Sequence, residues 1–479
     1  MKIKRILACL LATLMCVGAL VGCSGNKGNE TTPVTQEQVN TEVDGAKLNL
    51  PELDYGGADI NIIVRSQSLN FHDPEAQTVS VVREAVFERN VMVEELLNVK
   101  LKHTDMDGFS SGADAFSNAI RTSAMTDGIY DIVSPTQSFG NPLIAEGIYV
   151  DLTQLEYLDM SETYWHDGYN EQAKINGKLY TAITDYDMDA ISQLQVIFMN
   201  KQYLTAFGKL LENPYTLVKD GKWTLDKMLQ LSKVVTVDAD SNGIWNDYDQ
   251  YGWSLNRDTF SPMAASTGVN LITKDGEDYF FTLADERSIS VFEKMSTAIN
   301  ENIIRFTMTD KTTSENLFLQ GRAMFYSSSL GGAVKFKAVD MDYGILPTPK
   351  YNEEEDYRVG CNGMAILGIT VGMSEEKLAR ASAALQALSY YSHTLVVPAY
   401  FETCLRAQAA QDVESYEMLG IIRESSYFDL ALIYSRTVGA IYHCYGDAYM
   451  KSIHITTYWE EQETKATSAL TEFMKNFYK

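Results

Sequence analysis

Apolar residues form one run from Ile6 to Leu20, after which the chain is polar and aperiodic to about residue 50. Alternation of apolar and polar positions begins at Ala58-Asp59-Ile60-Asn61-Ile62-Ile63-Val64 and predicts a strand that ends at Arg65-Ser66-Gln67-Ser68. Val82, Ala85, Val86, Val91, Val93 and Leu96 then recur close to helical spacing, which predicts a helix from Val79 to Leu97. A strand at 99–102, a helix over 113–124 and a strand at 129–133 follow. Strand and helix in alternation build an α/β domain on a mostly parallel sheet.

A second unit of the same kind starts at Leu194-Gln195-Val196-Ile197-Phe198-Met199-Asn200, a strand running into a helix over 202–211. Between the two units, Asn176-Gly177 supplies the positive backbone angles of a tight hairpin turn over 175–180. Helices are predicted over 225–234, 288–302 and 312–321, the last ending at Gly321 before a strand at 322–326. Asp342-Tyr343-Gly344-Ile345-Leu346-Pro347-Thr348-Pro349-Lys350 reads as an extended crossing between domains, pinned by its prolines. From Ser374, an N-cap, helices dominate to the end.

The N-terminal run changes this picture of a simple two-domain chain. Lys2, Lys4 and Arg5 precede it and polar residues follow it, the pattern of a secretory signal over residues 1–22. Leu20-Val21-Gly22-Cys23 resembles the lipobox, in which the thiol of Cys23 is lipidated before cleavage. Residues 23–55 then serve as lipidated cysteine and flexible tether. The formal charge of −25 argues against nucleic acid as a partner. Cys361, Cys404 and Cys444 remain in the mature chain without C-x-x-C spacing, so buried thiols are expected rather than a zinc or redox site.

Four segments, taken in order, carry a resemblance: Ala145-Glu146-Gly147-Ile148-Tyr149-Val150-Asp151-Leu152, Asn176-Gly177-Lys178-Leu179-Tyr180, Phe318-Leu319-Gln320-Gly321-Arg322-Ala323-Met324 and Tyr343-Gly344-Ile345-Leu346-Pro347-Thr348-Pro349. With the lipobox and the helical tail, they resemble the family-1 extracellular solute-binding proteins, which deliver sugars to ABC importers. The resemblance implies a two-lobed α/β fold like that of periplasmic binding proteins, with hinge crossings, a helical C-terminal segment and a cleft that closes on ligand. Lobe 1 is expected to hold 56–190 with 305–345, and lobe 2 to hold 191–304 with 346–479. The stretch from Val397-Pro398-Ala399-Tyr400-Phe401 to Asp412-Val413-Glu414-Ser415 departs from the maltose and maltodextrin binders, so their ligand preference is not carried over.

Candidate ligand residues follow from position. Ligands of such sheets bind beyond the carboxyl ends of strands, which singles out Ser66, Gln67 and Gln137 in the first lobe. Asp185 and Asp187 precede the first crossing, Trp253 lies in the second lobe, Tyr326 follows the returning strand, Asn362 follows the proline segment and Tyr400 lies near the hinge. Aromatic faces with Asp, Asn, Gln and Arg suit the apolar C–H faces and hydroxyls of sugars, and the chain has 28 Tyr. The sharpest local motif is Asp238-Ala239-Asp240-Ser241-Asn242-Gly243-Ile244-Trp245-Asn246-Asp247-Tyr248-Asp249. Oxygen side chains at its first, third and fifth positions, glycine at the sixth and a carboxylate at the twelfth match an EF-hand calcium loop. The predicted ligands are Asp238, Asp240, Asn242, the Ile244 carbonyl, Asn246 through water and Asp249, around a structural Ca2+.

No G-x-S-x-G, H-E-x-x-H or phosphate-binding glycine loop appears, and the chain has only six His, so an enzyme is not indicated. The expectation is a monomeric, lipid-anchored receptor facing outside the cytoplasm. It captures a carbohydrate, an oligosaccharide, and passes it unchanged to the permease subunits of an ABC importer. A peptide- or polyamine-binding receptor or a surface adhesin of the same fold remains open, and so does a secreted glycoside hydrolase.

Overall fold

The computed structural model describes residues 45–66, 72–76, 80–108, 112–126, 128–276, 278–308, 310–336, 341–361, 363–401 and 413–476. The expected signal, Cys23, Gln67, Asn362 and Cys404 lie outside them. The alternating segment forms β1 (Ala58–Arg65), parallel on both sides to β2 (Val99–Met106) and β3 (Ile132–Ser134). Ile60, Ile62, Ile63 and Val64 are completely buried. Each such side chain contributes about 1.5–3 kcal/mol relative to exposure. The helix Ser80–Leu97 covers the sheet with Val82, Ala85, Val86, Val93 and Leu97, and the helix Ala113–Met125 with Phe116 and Ile120.

The second sheet uses β4 (Gln195–Asn200), β5 (Tyr251–Asn256), β8 (Ile304–Thr307), β9 (Ala323–Ser329) and β10 (Tyr343–Pro347) in the order β10-β4-β9-β5-β8. A separate hairpin, β6 (Ile272–Asp275) with β7 (Asp278–Phe281), precedes β8 in the chain. Strand β4 runs against both neighbours, whereas β5 is parallel to β8 and β9. The amino end of β4 and the carboxyl ends of the other four strands therefore share one edge, where Gln195 faces Ser329 and Val196 faces Pro347. A short parallel pair joins β11 (Val359–Gly360) to β12 (Ser426–Tyr427).

These pairings redraw the expected lobes. β8, β9 and β10 all belong to the second sheet, because β9 sits between β4 and β5 and β10 is bonded to β4. The prolines at 347 and 349 end β10 rather than mark a crossing. The chain passes to the second sheet at Gln193-Leu194 and returns at Cys361, and these two passages pair through a bridge between Leu194 and Cys361. Residues 365–370 then join the first sheet through Val133–Gly368, Thr136–Ala365 and Ala182–Leu367 bridges. At Gly368 a Cβ would lie 2.8 Å from the Tyr149 ring, so this approach needs glycine. The helix Glu375–Tyr391 follows, capped by Ser374, whose side chain accepts the Lys377 N–H at 3.3 Å, and it packs on the helix Ser80–Leu97.

Several local expectations match. Ile175 and Lys178 close the Asn176-Gly177 turn, with φ of 50° and 74°. Trp223 is buried under the helix Leu225–Val235, and the last helix, Ile455–Lys475, lays Trp459 against Phe281 with ring centroids 5.0 Å apart. Cys361 and Cys444 are buried thiols. Among the described residues no helix is long and apolar enough to cross a membrane.

Candidate functional site

Parallel pairing brings the ends of β1, β2 and β3 to one side of the first sheet, where the strap 184–189 passes on its way to the second. The strap is tied down by charge. Arg65, the last residue of β1, donates to Thr136 Oγ1 at 3.1 Å and forms an ion pair with Asp189, whose Oδ2 also accepts the Ala365 N–H at 3.2 Å. Asp187 accepts from Ser134 Oγ at 2.9 Å and lies 3.4 Å from His72 Nε2. Burial alone would raise the Asp187 carboxyl, but His72, Arg65 and Ser134 outweigh it and hold it below its ordinary value.

Asp185, 1% exposed, sits between His166 Nε2 at 3.0 Å and His393 Nδ1 at 2.7 Å, with an Arg423 nitrogen at 3.9 Å. Burial opposes its charge, yet the two imidazoles hold its carboxyl far below the usual range. Between these aspartates Tyr186 lies under the guanidinium of Arg89, 5.0 Å from the ring centroid, with its hydroxyl 3.0 Å from His103 Nε2. Burial, with His72 and Arg89 nearby, pushes His103 down to about 3, so this imidazole is neutral at ordinary pH. Every carboxylate of the strap has a partner inside the protein.

Open polar groups lie at the adjoining residues. The helix Gln137–Gly140 starts at the carboxyl end of β3, and Arg257 opens the helix Arg257–Ser266 at the carboxyl end of β5, behind a capping box formed by Asn256 and Thr259. Between them is a cavity of about 610 Å3, lined by Ser138, Phe139, Arg257, Ser435, Arg436 and His443 among others. The Arg436 guanidinium stacks 3.8 Å from the centroid of the Phe139 ring. Arg257 ion-pairs with Asp447 and Asp258, and Lys311 lies 2.8 Å from Asp258. Burial lowers the His443 imidazole from its ordinary value, and its buried Nδ1 has no hydrogen-bond partner.

This volume lies within the range of about 300–1,000 Å3 usual for small-molecule sites. A larger cavity of about 720 Å3 lies between β7 and the helix Ile455–Lys475. Its walls come from one hairpin and one helix, whereas both sheets contribute to the cavity at Phe139 and Arg257. The latter is therefore the better candidate.

The sequence-derived ligand residues divide sharply. Ser66 is exposed beside Arg65, and Gln67 and Asn362 lie outside the described residues. Gln137 is buried, its Oε1 accepting the Met364 N–H at 2.9 Å, and thus fastens the helix to the return passage. Asp185 and Asp187 serve the strap. Trp253 is fully buried with its N–H donated to Ser327 Oγ at 2.8 Å, and Tyr326 is packed against Phe198 and Phe318. Tyr400 is 1% exposed. In this structure these three aromatics are core, which corrects the expectation that they face a ligand: Trp253 and Tyr326 lie on central strands and Tyr400 in the helical stretch after Tyr391, where bulky rings bury more area inward than any rim position offers. Phe139, Arg257, Arg436 and His443 went unnoticed. The strand-end rule used for the first sheet, applied to the end of β5, would have reached Arg257.

In the loop 238–249, carboxylate oxygens of Asp238, Asp240 and Asp249 lie within 4.8 Å of one another. Gly243 has φ +77°, the conformation demanded at the sixth position, and its N–H donates to Asp238 Oδ2 at 2.7 Å. The other Asp238 oxygen is buried without a hydrogen-bond partner. Asp249 accepts the N–H groups of Ala239 and Asn246, while the Ile244 carbonyl accepts from the Asn246 side chain and Asn242 Oδ1 accepts the Ile244 N–H. Of the six predicted ligands, the structure gathers the three carboxylates.

Residues 92–393 match the family described as bacterial extracellular solute-binding protein. Among solved structures, the chain resembles the maltose/maltodextrin-binding domain MalE from Bdellovibrio bacteriovorus bound to maltotriose, with TM-score 0.56 and 16% identity over 86% of this chain and 100% of that one. It also resembles an ABC substrate-binding protein from Listeria monocytogenes in complex with cycloalternan, with TM-score 0.57 and 11% identity over 87% and 99%. UgpB from Mycobacterium tuberculosis in complex with glycerophosphocholine gives TM-score 0.56 and 14% identity over 87% and 98%. At these identities the likeness is one of fold. Among curated protein sequences none matches this chain.

Proposed function

The chain belongs to the bacterial extracellular solute-binding proteins, and from that premise we propose that it captures a carbohydrate, an oligosaccharide, in the cavity between its two sheets. The observation that carries this reading is the cavity itself. An aromatic ring, two guanidinium groups, an imidazole and two serine hydroxyls converge there from the helices that follow β3 and β5 and from residues 435–443, the mixture that a polyhydroxylated ring requires. Among the described residues, the lining of the cavity holds no carboxylate to act on a bound glycoside. The solute is then passed unchanged to an ABC importer, with the protein held on the outer face of the membrane through lipid on Cys23.

A thermal-shift panel tests the reading, with mono- and oligosaccharides set against peptides and polyamines. A ligand that binds only the folded state at a hundred times its Kd adds about 2.7 kcal/mol of stability. A shift is expected with sugars alone, and Phe139→Ala should remove it; a shift confined to peptides or polyamines would overturn the carbohydrate assignment. Cys23→Ser should release the protein from membranes, and a variant that stays membrane-bound would refute the anchor.

For the loop 238–249, the structural Ca2+ is likewise a proposal. The three convergent carboxylates, the positive-φ glycine and the unpartnered Asp238 oxygen support it.

A further inference from the structure

Resting on the cavity as the solute site, we propose that the sugar it takes is acidic: an oligosaccharide bearing a uronate carboxylate that docks on Arg436. The argument is one of charge. Arg257 and Lys311 are matched by Asp258 and Asp447, so that group is internally neutral. His443 is desolvated, which favours its uncharged form. Arg436 is left over. It is exposed, and no carboxylate lies within ion-pair distance of it among the described residues. In a chain of net charge −25, one uncompensated cation inside the cavity is a local reversal of sign.

Geometry makes this cation selective. The Phe139 ring, brought in by the first sheet, covers one face of the Arg436 guanidinium at 3.8 Å. Stacking fixes the plane of the group and leaves its edge N–H donors for a carboxylate, which a guanidinium holds through two parallel bonds. The hydroxyls of Ser138 and Ser435 remain for sugar hydroxyls. A polyamine would meet this cation with repulsion, and a neutral sugar would leave it without a counter-charge.

Calorimetry on the purified protein with trigalacturonate, maltotriose and glycerophosphocholine, each at low and high salt, tests the proposal. Trigalacturonate is expected to bind at least about tenfold more tightly than maltotriose, with affinity that falls as salt rises. Arg436→Gln, an exposed substitution whose unchanged melting temperature verifies folding, should abolish that preference by weakening trigalacturonate at least about tenfold more than maltotriose. Maltotriose binding as tightly as trigalacturonate would overturn the acidic-sugar inference and leave the receptor reading intact. Glycerophosphocholine alone, or none of the three, would overturn both. Tight trigalacturonate binding that Arg436→Gln does not weaken would overturn the docking site.

Discussion

Two aspartate-rich stretches, 185–189 and 238–249, look alike in sequence and behave oppositely in the fold. Asp185, Asp187 and Asp189 each face their own partner: two imidazoles, His72 and Arg65. Asp238, Asp240 and Asp249 face one another and accept from amide N–H groups, with no cationic side chain paired with them among the described residues. Neutralisation separates the two. A buried carboxylate with an opposite charge at hand is a brace, because its desolvation is already offset; convergent carboxylates without one call for a cation from solution.

The largest effect should come from taking a brace apart. Asp185→Ala leaves His166, His393 and Arg423 facing an empty position and should cost about 3–5 kcal/mol in urea unfolding; a loss below about 1 kcal/mol would show that the strap is not held by charge. Next comes calcium, which at a hundred times its Kd should stabilise the protein by about 2.7 kcal/mol, read as a rise in melting temperature that Asp249→Asn removes. No calorimetric heat and no rise would dissolve the contrast between the stretches.

Acid should discriminate further. The folded-state carboxyls of Asp185 and Asp187 lie below their ordinary values, so their contribution is full above about pH 4 and lost as pH falls below it. Asp187→Asn should flatten that limb of the stability curve, and an unchanged limb would contradict the pairing. The smallest effect belongs to Asp429, a buried carboxylate that accepts the Leu271 and Ala431 N–H groups and is pushed up to about 6, chiefly by burial. Its sign is reversed: it favours the folded state most below about pH 4, and that part fades as pH rises through about 6. Asp429→Asn, which keeps an amide-accepting oxygen, should remove this slope; a steeper slope would refute the assignment.

Much of the architecture was legible because the first sheet obeys simple periodicities. The alternation at 58–64 became β1, and the helical spacing after residue 79 became the helix Ser80–Leu97. The boundary between lobes was not legible. Pro347 and Pro349 resemble a crossing, yet pairing between β10 and β4, distant in sequence, decides which sheet owns the segment. Tyrosine misled for a related reason. Its abundance suggests stacking platforms, but Tyr164, Tyr434 and Tyr442 are buried with hydroxyls donated to the carbonyls of Lys47, Ala173 and Cys361. A tyrosine whose hydroxyl meets a carbonyl is as comfortable inside as phenylalanine, and no local pattern distinguishes that fate from a place at a site. Arg436 was invisible because its significance lies in a ring nearly three hundred residues away in sequence, at Phe139.

The bridge between Leu194 and Cys361 joins the two passages edge to edge, and the Tyr442 hydroxyl clamps the Cys361 carbonyl at 2.6 Å. Mechanically, two passages riveted at one residue pair cannot slide past each other at that point. Any motion of one sheet against the other would then be centred on that rivet. On the proposed reading, a molecule held between Phe139 and Arg257 would set the angle about that point, a quantity a membrane partner could read without touching the solute.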